Sequence, residues 1–491
     1  MSTVALGMPA YGQGNINLST PFPASAKHQM HNTQMRKNIH HATHAIRAKR
    51  NNVVGEVPDW EDLRSAGSAI KSNVMANLPE LLEQFAKNFE AAGGHVHWAR
   101  DAKEANKIVT ELIRETGETE VNKIKSMATQ EIGLDEYLEE QGITATETDL
   151  AELIVQLGED KPSHILVPAI HRNRDEIREI FKEKMPEAGD DLTSEPAVLA
   201  EAARRHLRKR FLSRKVAVSG ANFGVADTGT LSVVESEGNG RMCLSLPETL
   251  ITVMGIEKLI PTFSDLEVFL QLLPRSSTGE RMNPYTSLWT GAFDGDGPEN
   301  VHVVLLDNGR SAVLDDEDGR SALHCIRCSA CLNVCPVYEQ AGGHSYGSVY
   351  PGPIGAILSP QLTGITSEQN ATLPFASSLC NACYDVCPVK INIPDILVHL
   401  RSKAVDEQSG PSQMAALMKA ASFVMGSGQV MKLVERGLPL SRIVAGRSGT
   451  IGWLPGIAGA WTSQRDIPKP PKQAFRHWWA KNRKNTTEAE S

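Results

Sequence analysis

The sequence lacks long hydrophobic runs. Nowhere in its 491 residues do about 18 or more apolar residues follow one another, and a helix needs about 20 to cross a bilayer. Residues 1–25 also lack the apolar stretch of a secretory signal peptide. We therefore expect a cytoplasmic protein without a membrane-spanning helix.

Positive charge is not in excess either. The formal net charge is −8 at pH 7, from 50 Lys and Arg against 58 Asp and Glu. General nucleic-acid binding needs basic residues that release counterions, and no helix-turn-helix with a basic face is visible. The dinucleotide fingerprint G-x-G-x-x-G after a strand is missing, and no flavin motif is evident. The net charge and the missing helix-turn-helix argue against a nucleic-acid partner and against a regulatory DNA-binding module.

Cysteine is scarce outside one segment. Seven of the eight cysteines lie in HCIRCSACLNVCP and CNACYDVCP, and we expect the eighth, Cys243, to be a core residue. The first stretch is the C-x2-C-x2-C-x3-C-P run of bacterial two-cluster ferredoxins, and the second is the same run without its first cysteine. Ser377 occupies the place of that missing cysteine.

This spacing suits a cubane iron–sulfur cluster, whose corner irons take separate thiolates. Three cysteines of one loop reach three corners, while the fourth reaches away to the other cluster. The proline after it has no N–H and a fixed φ, which holds the exit turn. The crossed pattern assigns to cluster one Cys325, Cys328, Cys331 and Cys387. It assigns to cluster two Cys335, Cys380 and Cys383.

Other interpretations of the cysteines fit less well. Zinc prefers two C-x2-C pairs that close a tetrahedron, and disulfides are not expected in a reducing compartment. We therefore predict two iron–sulfur clusters of the 4Fe-4S type. The fourth ligand of cluster two stays open between the Ser377 oxygen, a ligand from elsewhere in the chain, water, and a three-iron cluster.

Composition and periodicity divide the chain into five segments. We expect an unstructured extension, an N-terminal helix, an α/β domain, an α-helical two-cluster ferredoxin-like domain and a helical C-terminal segment. Their predicted ranges are 1–27, 28–58, 59–310, 311–405 and 406–491. Within the ferredoxin-like domain, Pro and Gly in YGSVYPGPIGAILSPQL (346–362) predict a loop that wraps the clusters and excludes water.

Histidines cluster in the predicted N-terminal helix. They are His28, His31, His40, His41 and His44. Metal binding is one interpretation, but no acidic or cysteine ligand joins them in the sequence. We therefore expect a solvated helix face.

Strands that alternate with helices predict a largely parallel sheet in the α/β domain. The predicted strands are 95–99, 143–149, 164–170, 215–219, 230–234, 241–246, 250–255 and 301–308. The predicted helices include one capped by Asp101, one at 150–157, one from about Asn173 and one capped by Ser264.

A glycine-rich stretch, GANFGVADTGT, lies between two of these strands. Gly220, Gly224 and Gly229 permit a tight loop whose N–H groups hold an anion, with Asp227 and Thr228 at its tip. The simpler interpretation is a hairpin that holds a sheet together.

The C-terminal tail combines aromatic and basic residues. Trp478 and Trp479 lie among lysines and arginines in RDIPKPPKQAFRHWWAKNRK. This combination suits partner docking or peripheral membrane contact, and it suits packing on the chain's own domain equally well.

Several long motifs resemble the lactate utilization protein B family. They are the cysteine pattern, GANFGVADTGTLSVVESEGNGRMC, LPETLITVMGIEKL, DGPENVHVVLLDNGRS and RDIPKPPKQAFRHWW, and the resemblance covers roughly residues 30–480. It implies an N-terminal domain similar to the CoA-transferase and ribose-phosphate-isomerase fold, followed by the ferredoxin-like domain. It further implies a three-protein bacterial complex that oxidises L-lactate to pyruvate, with a cysteine-rich protein and a second protein of the lactate-utilization domain as partners. This chain would be the iron–sulfur subunit, and the family's cluster ligands carry over onto the seven cysteines.

Two functions follow from these features. In the first, the chain passes electrons from lactate oxidation through two clusters and is not catalytic alone. In the second, the α/β domain binds a 2-hydroxy acid such as L-lactate and carries the active site. There the loop at 220–230 would hold the carboxylate with Arg241, and His164 or His171 would be the general base.

Overall fold

The computed structural model describes residues 20–186, 188–189, 191–292, 295–407, 413–443, 445, 449–463 and 465–487. The chain forms two compact units, Met1–Glu407 and Gln408–Ser491. The first unit contains the regions predicted as N-terminal helix, α/β domain and ferredoxin-like domain, and the boundaries between them stay predictions.

The first unit begins with helices that precede its sheet. They are α1 (Phe22–Gln29), α2 (Thr33–Gly55), α3 (Trp60–Ala76) and α4 (Leu78–Ala91). Most of the predicted unstructured extension lies outside the described residues, but its last part was wrong, because the chain is helical from Phe22. The Phe22 ring packs against Tyr346 with a centroid distance of 5.0 Å, which gives this helix an anchor in the cysteine region.

A parallel sheet of six strands forms the centre of the α/β region. Its order is β1-β10-β7-β4-β2-β3. The strands are β1 (His95–Ala99), β2 (Glu120–Lys123), β3 (Thr144–Glu147), β4 (Val216–Gly220), β7 (Thr249–Gly255) and β10 (Asn300–Leu306). All pairs are parallel, with Leu250 of β7 opposite Ala217 and Val301. The central strand β7 is buried throughout, as expected for a parallel strand covered on both faces. The predicted parallel α/β layer is confirmed.

Helices connect and cover these strands. They are α5 (Ala102–Glu115), α6 (Met127–Glu131), α7 (Leu134–Glu140), α8 (Leu150–Leu157), α9 (Arg174–Lys184), α10 (Pro196–Ser213), α11 (Asn239–Ser245) and α12 (Phe263–Ser277). The predicted cap of α5 is confirmed, since the Asp101 carboxylate accepts the Glu104 N–H at 2.9 Å. The cap predicted at Ser264 was wrong, because Thr262 forms a reciprocal capping box with Asp265 instead.

A smaller sheet of four strands has the order β8-β5-β6-β9. The strands are β5 (Phe223–Val225), β6 (Thr230–Glu235), β8 (Leu259–Ile260) and β9 (Tyr285–Trp289). β5 and β6 form an antiparallel hairpin across the predicted glycine-rich loop. The sequence did not reveal β2, β5, β8 or β9, which are short or mixed in polarity.

Two predicted strands were wrong for local reasons. Residues 164–170 form a compact loop, because His164 Nδ1 accepts the N–H groups of Leu166 and Val167 at 3.1 and 3.0 Å. Residues 241–246 lie largely in helix α11, because the Glu235 carboxylate accepts the backbone N–H groups at its first turn. In both places a side chain satisfies N–H groups that a strand would have paired with a neighbour.

The cysteine region is helical. Its helices are α13 (Arg310–Asp315), α14 (Ala330–Val334), α15 (Pro336–Ala341), α16 (Gly352–Thr363), α17 (Glu368–Thr372), α18 (Ala382–Asp385) and α19 (Ile393–Glu407). The loop predicted at 346–362 was wrong in part, since α16 takes up most of it, with Pro353 in its first turn. This helix is buried along nearly its whole length, so the expected exclusion of water holds although the conformation differs.

One hydrophobic core joins the α/β region to the cysteine region. Its buried residues come from helices α2 to α4, from both sheets, from α14 to α16 and from α18 and α19, and they include Cys328, Cys335, Cys383 and Cys387. A second core lies on the other face of the six-stranded sheet, under α5 and α7. The cysteines are thus part of the interior of the first unit.

The second unit is helical, as predicted. It contains α20 (Gln413–Gly426), α21 (Gly428–Gly437), α22 (Gly459–Thr462) and α23 (Phe475–Thr487), with β11 (Thr450–Ile451) antiparallel to β12 (Ile467–Pro468). Trp478 and Trp479 each pack on Phe475 at 5.9 Å and remain about half exposed. Among the helices that the structure describes in either unit, none has the length and apolarity of a membrane span.

A buried charge network ties the large sheet to the cysteine region. The Arg310 guanidinium donates to both oxygens of Glu131 at 2.8 and 3.0 Å, and to Glu257 at 2.5 Å. The Tyr350 hydroxyl donates to Glu131 at 2.6 Å. Arg310, Glu131 and Glu257 are nearly inaccessible to solvent.

Arg310→Met is therefore expected to destabilise the first unit by about 3–5 kcal/mol, because it leaves the buried Glu131 carboxylate without its cation and Glu257 with Arg327 alone. The measurement is the thermal unfolding midpoint of the anaerobically purified protein. Arg100→Met, at an exposed arginine, is the matched control and should leave the midpoint unchanged. Equal midpoints for both variants would contradict the structural role of the network.

Candidate metal centre

The first cysteine loop curls around Cys328. Arg327 and Ser329 on either side of it have positive φ angles of 62° and 65°, and α14 begins directly afterwards. The Arg327 N–H donates to Cys325 Sγ at 3.4 Å. The loop therefore already presents a backbone donor to a sulfur, as cluster-binding loops do.

The second cysteine loop has the same form around Cys380. Leu379 and Asn381 have positive φ angles of 54° and 69°, and α18 follows. Here the Leu379 N–H donates to the Ser377 hydroxyl oxygen at 3.1 Å.

The last cysteine of each run leaves its loop at a helix or turn. Cys335 Sγ accepts the Tyr338 N–H at 3.4 Å, at the start of α15. Cys387 Sγ accepts the Ile391 N–H at 3.3 Å. These N–H groups stabilise negative charge on sulfur.

Four of the cysteines line one small apolar cavity. They are Cys325, Cys328, Cys331 and Cys387, and their neighbours there include Ile165, Ile354 and Ile391. Three of these sulfurs come from the first loop and one from the second. The sequence predicted this combination for cluster one.

The other three cysteines of the motif act on one another electrostatically, and Cys383 also acts on Cys331. Burial, and then the neighbouring Cys335 and Cys380, raise the pKa of the Cys383 thiol to about 12. Burial also raises the pKa of Cys335, with Cys380 among its neighbours. Cys335 and Cys383 are buried, whereas Cys380 is exposed.

This donor set fits two iron–sulfur clusters. Burial, and then Cys325 and Cys387, raise the pKa of the Cys328 thiol, so closely packed thiolates are unfavourable without a cation. Bound metal replaces the thiol protons and offsets this repulsion. Cys243 lies apart from the motif, buried against Thr148 at 3.6 Å.

Arginines from the N-terminal helices hold the second loop in place. Arg64 of α3 donates to the carbonyl oxygens of Cys387 and Tyr384 at 2.9 and 3.1 Å. Arg50 of α2 donates to the Val386 carbonyl at 3.0 Å. Their positive charge lies where an anionic cluster would need compensation.

The predicted anion-binding loop at 220–230 is a hairpin instead. The Gly229 N–H donates to Val225 O, and the Ala226 N–H donates to Ile260 O, both at 2.9 Å. Gly229 has a φ of +67°, and a Cβ there would lie 2.4 Å from the Phe89 N atom. The glycine therefore permits close packing against α4, which is the simpler of the two interpretations.

The side chains predicted to act with that loop are engaged elsewhere. His164 is buried, with Nε2 3.2 Å from Asn333 Oδ1, and burial lowers its pKa to about 3. His171 lies between Ser163 and Asp160, at 2.7 and 2.8 Å. Arg241 is exposed above the Tyr285 ring. Neither a histidine base nor Arg241 is brought to the loop.

A cavity of about 350 Å³ lies at the carboxyl ends of β2, β4 and β7. Ligand sites of parallel sheets commonly occupy this position. Residues that line it include Lys125, Ser126, Asn222, Glu237, Lys258 and Arg327. Arg327 and Ile165 also line the four-cysteine cavity, so the two cavities are neighbours. The sequence indicated only part of this site, since Gly220 of the predicted glycine-rich loop lines the cavity. Lys125 and Lys258 were not predicted, although their places after parallel strands were the signal for them.

Lys258 is the notable cation of the larger cavity. No hydrogen bond or ion pair joins its ammonium to any residue within the described ranges. Burial, and then Arg327, lower its pKa to about 8. An ammonium without a partner in a cavity of this size is suited to a small anion.

The histidines of α2 are solvent-exposed, as predicted, but their expected isolation from acidic residues was wrong. Glu339 of α15 lies 2.6 Å from His40 Nδ1 and 3.3 Å from His44 Nε2. These three side chains could hold a metal ion geometrically. Their exposure and the nearby Arg47, at 3.9 Å from Glu339, favour an ordinary surface ion pair.

Comparisons with known proteins agree with this division of the chain. Residues 82–306 match the LUD domain, and residues 321–391 match the 4Fe-4S dicluster domain. A solved structure of a DUF162 family protein from Deinococcus radiodurans matches with a TM-score of 0.26 and 11% identity, over 47% of this chain and 98% of that chain. A TM-score this low does not establish a shared fold.

Curated relatives cover nearly the whole chain. Lactate utilization protein B of Bacillus velezensis is 42% identical over 462 residues, which are 93% of this chain and 96% of that protein. The protein of the same name from Bacillus subtilis is 42% identical over 454 residues, which are 91% and 94% of the two chains. The chain therefore belongs to the lactate utilization protein B family, as an iron–sulfur protein with a 4Fe-4S dicluster domain.

Proposed function

We propose that this chain carries electrons through two 4Fe-4S clusters with crossed ligation. Cluster one takes Cys325, Cys328, Cys331 and Cys387. Cluster two takes Cys335, Cys380 and Cys383. The observation that carries this proposal is the single cavity lined by three cysteines of the first loop and by Cys387 of the second.

Burial differs between the two clusters and suggests a direction. Cluster one lies in the core beside the 350 Å³ cavity. Cluster two reaches the surface at Cys380, next to Leu379 and close in sequence to Phe375, and all three are exposed. Electrons would enter or leave through this second, exposed end, where a partner protein docks. Two one-electron centres in series divide a two-electron oxidation.

The relatives are named for lactate utilization, and this supports a role for the proposed electron transfer in lactate oxidation. We propose that the chain is the iron–sulfur subunit of a cytoplasmic complex that oxidises L-lactate to pyruvate. The other subunits are a cysteine-rich protein and a second lactate-utilization-domain protein. The exposed aromatic group of Phe475, Trp478 and Trp479 is a docking element for these partners or for a membrane surface. We also propose that the α/β domain of this chain has a fold like that of CoA-transferases and ribose-phosphate isomerases.

A second candidate function is binding of a 2-hydroxy acid in the 350 Å³ cavity. The observation that favours it is the Lys258 ammonium, which has no hydrogen-bond partner within the described ranges and lies beside Arg327. Arg327 is itself part of the first cysteine loop. A carboxylate held there would lie next to cluster one. The cavity includes Gly220 and Asn222 at the start of the glycine-rich loop, but not Arg241 or the two histidines, so it replaces them as the location of this function.

Lactate is expected to reduce the clusters only in the presence of the partner subunits. If catalysis resides in a partner, the purified chain is reduced by dithionite but not by millimolar lactate. The measurement is the EPR signal of the reduced clusters, with and without the co-expressed partners. Reduction of the isolated chain by lactate would contradict the leading proposal and favour the second candidate.

Crossed ligation predicts how cysteine variants combine. Cys380→Ala is expected to lose cluster two, which lowers the iron content from about eight to about four atoms per chain. Adding Cys335→Ala should then change nothing further, whereas adding Cys387→Ala should lower the iron content again, because it takes one of four ligands from cluster one. Cys243→Ala is the matched control, because this buried cysteine lies outside the motif.

Iron and acid-labile sulfide analysis checks this pattern. If Cys335→Ala removed the remaining cluster and Cys387→Ala spared it, each loop would hold its own cluster and the crossed assignment would be wrong.

Lys258→Gln is expected to weaken carboxylate binding by more than about tenfold, because a hydrogen bond to a charged group is worth about 1.5–3 kcal/mol. The measurement is calorimetric titration of the full-length protein with lactate and with pyruvate. Lys107→Gln, which makes the same charge change at an exposed lysine, should bind like the wild type. No detectable binding to the wild type would remove the second candidate function.

A further inference from the structure

We propose that the hydroxyl oxygen of Ser377 is the fourth ligand of cluster two. The inference rests on the proposed two-cluster function and completes its second site, for which the cysteine motif supplies only three thiolates. It follows from an internal repeat of the structure, in which Ser377 takes the place of Cys325.

The two cysteine loops repeat each other in backbone conformation. Positive φ angles of 62° and 65° flank Cys328, and angles of 54° and 69° flank Cys380. A short helix follows each loop at the same distance, α14 after the first and α18 after the second. Non-glycine residues adopt positive φ uncommonly, so two such pairs at matching positions indicate loops built for the same task.

The repeat extends to the atom that would bind iron. In the first loop, the Arg327 N–H donates to Cys325 Sγ at 3.4 Å. In the second, the Leu379 N–H donates to Ser377 Oγ at 3.1 Å. Both bonds run from the residue before the central cysteine to the side chain two residues earlier. Ser377 Oγ therefore occupies the position in its loop that a cluster ligand occupies in the other.

The backbone of Ser377 is held from outside the loop. Arg401 of α19 donates to the carbonyl oxygens of Ser377 and Pro374 at 3.1 and 2.9 Å, and its guanidinium lies over the Phe375 ring. A loop end anchored in this way keeps its side chain in one place, which is what a ligand position requires.

Tyr346 is the competing oxygen donor near cluster two. Its hydroxyl is buried and lies close to the Cys335 side chain. That position is beside a corner which already has a thiolate, so the Tyr346 hydroxyl, without a hydrogen-bond partner among the described residues, is placed to donate to a cysteine sulfur rather than to bind iron. Such donors to cluster sulfurs tune the reduction potential without binding iron.

Binding of iron by Ser377 requires loss of the hydroxyl proton. Ser377 would bind as the alkoxide, and its hydroxyl proton would pass to water as the bond to iron formed, because Ser377 is only partly buried and Ser378 beside it is exposed. An alkoxide is a harder donor than a thiolate and favours the ferric state. Cluster two should therefore have a lower potential than the same cluster with a cysteine at position 377.

The test compares Ser377→Ala and Ser377→Cys with two controls, Ser378→Ala and Tyr346→Phe. Iron and sulfide per chain, EPR of the oxidised form and the midpoint potential of cluster two are measured on the anaerobic full-length proteins. The wild type should contain about eight irons, and Ser377→Ala should lose about one iron and show a three-iron signal. Ser377→Cys should keep the wild-type iron content and raise the potential. Both controls should keep the wild-type iron content.

Three results would overturn the inference. Ser377→Ala could retain the iron content and potential of the wild type, Tyr346→Phe could be the variant that loses iron, or the wild type itself could carry a three-iron cluster. In each case the chain still holds clusters and the electron-transfer proposal stands. A wild-type protein without iron would instead refute the proposed function itself. Thermal unfolding of each variant is the control for misfolding. An unchanged unfolding midpoint would assign a loss of iron to the missing ligand.

Discussion

The first unit depends on one buried carboxylate, Glu257, held between two arginines. Burial alone would raise the pKa of Glu257, but Arg310 and Arg327 outweigh it and lower the value to about 2. Arg310 follows strand β10 and also binds Glu131, while Arg327 belongs to the first cysteine loop. Charges this deep are stable only when they are paired. The pairing therefore fixes the cysteine loop against the carboxyl edge of the parallel sheet.

This constraint determines where chemistry can take place. Arg327 lines both the four-cysteine cavity and the 350 Å³ cavity of the sheet. A small anion beside Lys258 and cluster one would thus share an electrostatic environment, whether the anion is a substrate or an effector. The larger cavity adjoins the four-cysteine cavity proposed for cluster one, whereas Cys380, a proposed ligand of cluster two, is exposed. If the proposed function holds, the unit would form a path from this interior site to the surface at Cys380.

The dicluster segment and the parallel sheet could be predicted from the sequence, because both depend on local spacing of residues. Apolar runs identified the strands β4, β7 and β10, and the ferredoxin-like spacing identified the dicluster segment. Prediction from the sequence failed where one side chain changed the local conformation. His164 and Glu235 did so by accepting hydrogen bonds from backbone N–H groups. The sequence also indicated only part of the large cavity, since Lys125, Asn222 and Lys258 are distant in sequence and meet only where parallel strands end side by side. The spacing of the sequence already matched Ser377 to Cys325. The matching φ angles and N–H bonds of the two loops became visible only in the structure.

The most direct test of this account is a stepwise reductive titration of the anaerobically purified wild-type chain, followed by EPR. Two adjacent 4Fe-4S clusters predict the uptake of about two electrons per chain. The signals should be broadened by interaction between the two reduced clusters, since the proposed crossed ligation by Cys335 and Cys387 would bring the clusters close. A protein that takes up no electrons, or that holds zinc in place of iron, would contradict electron transfer as the function of this chain.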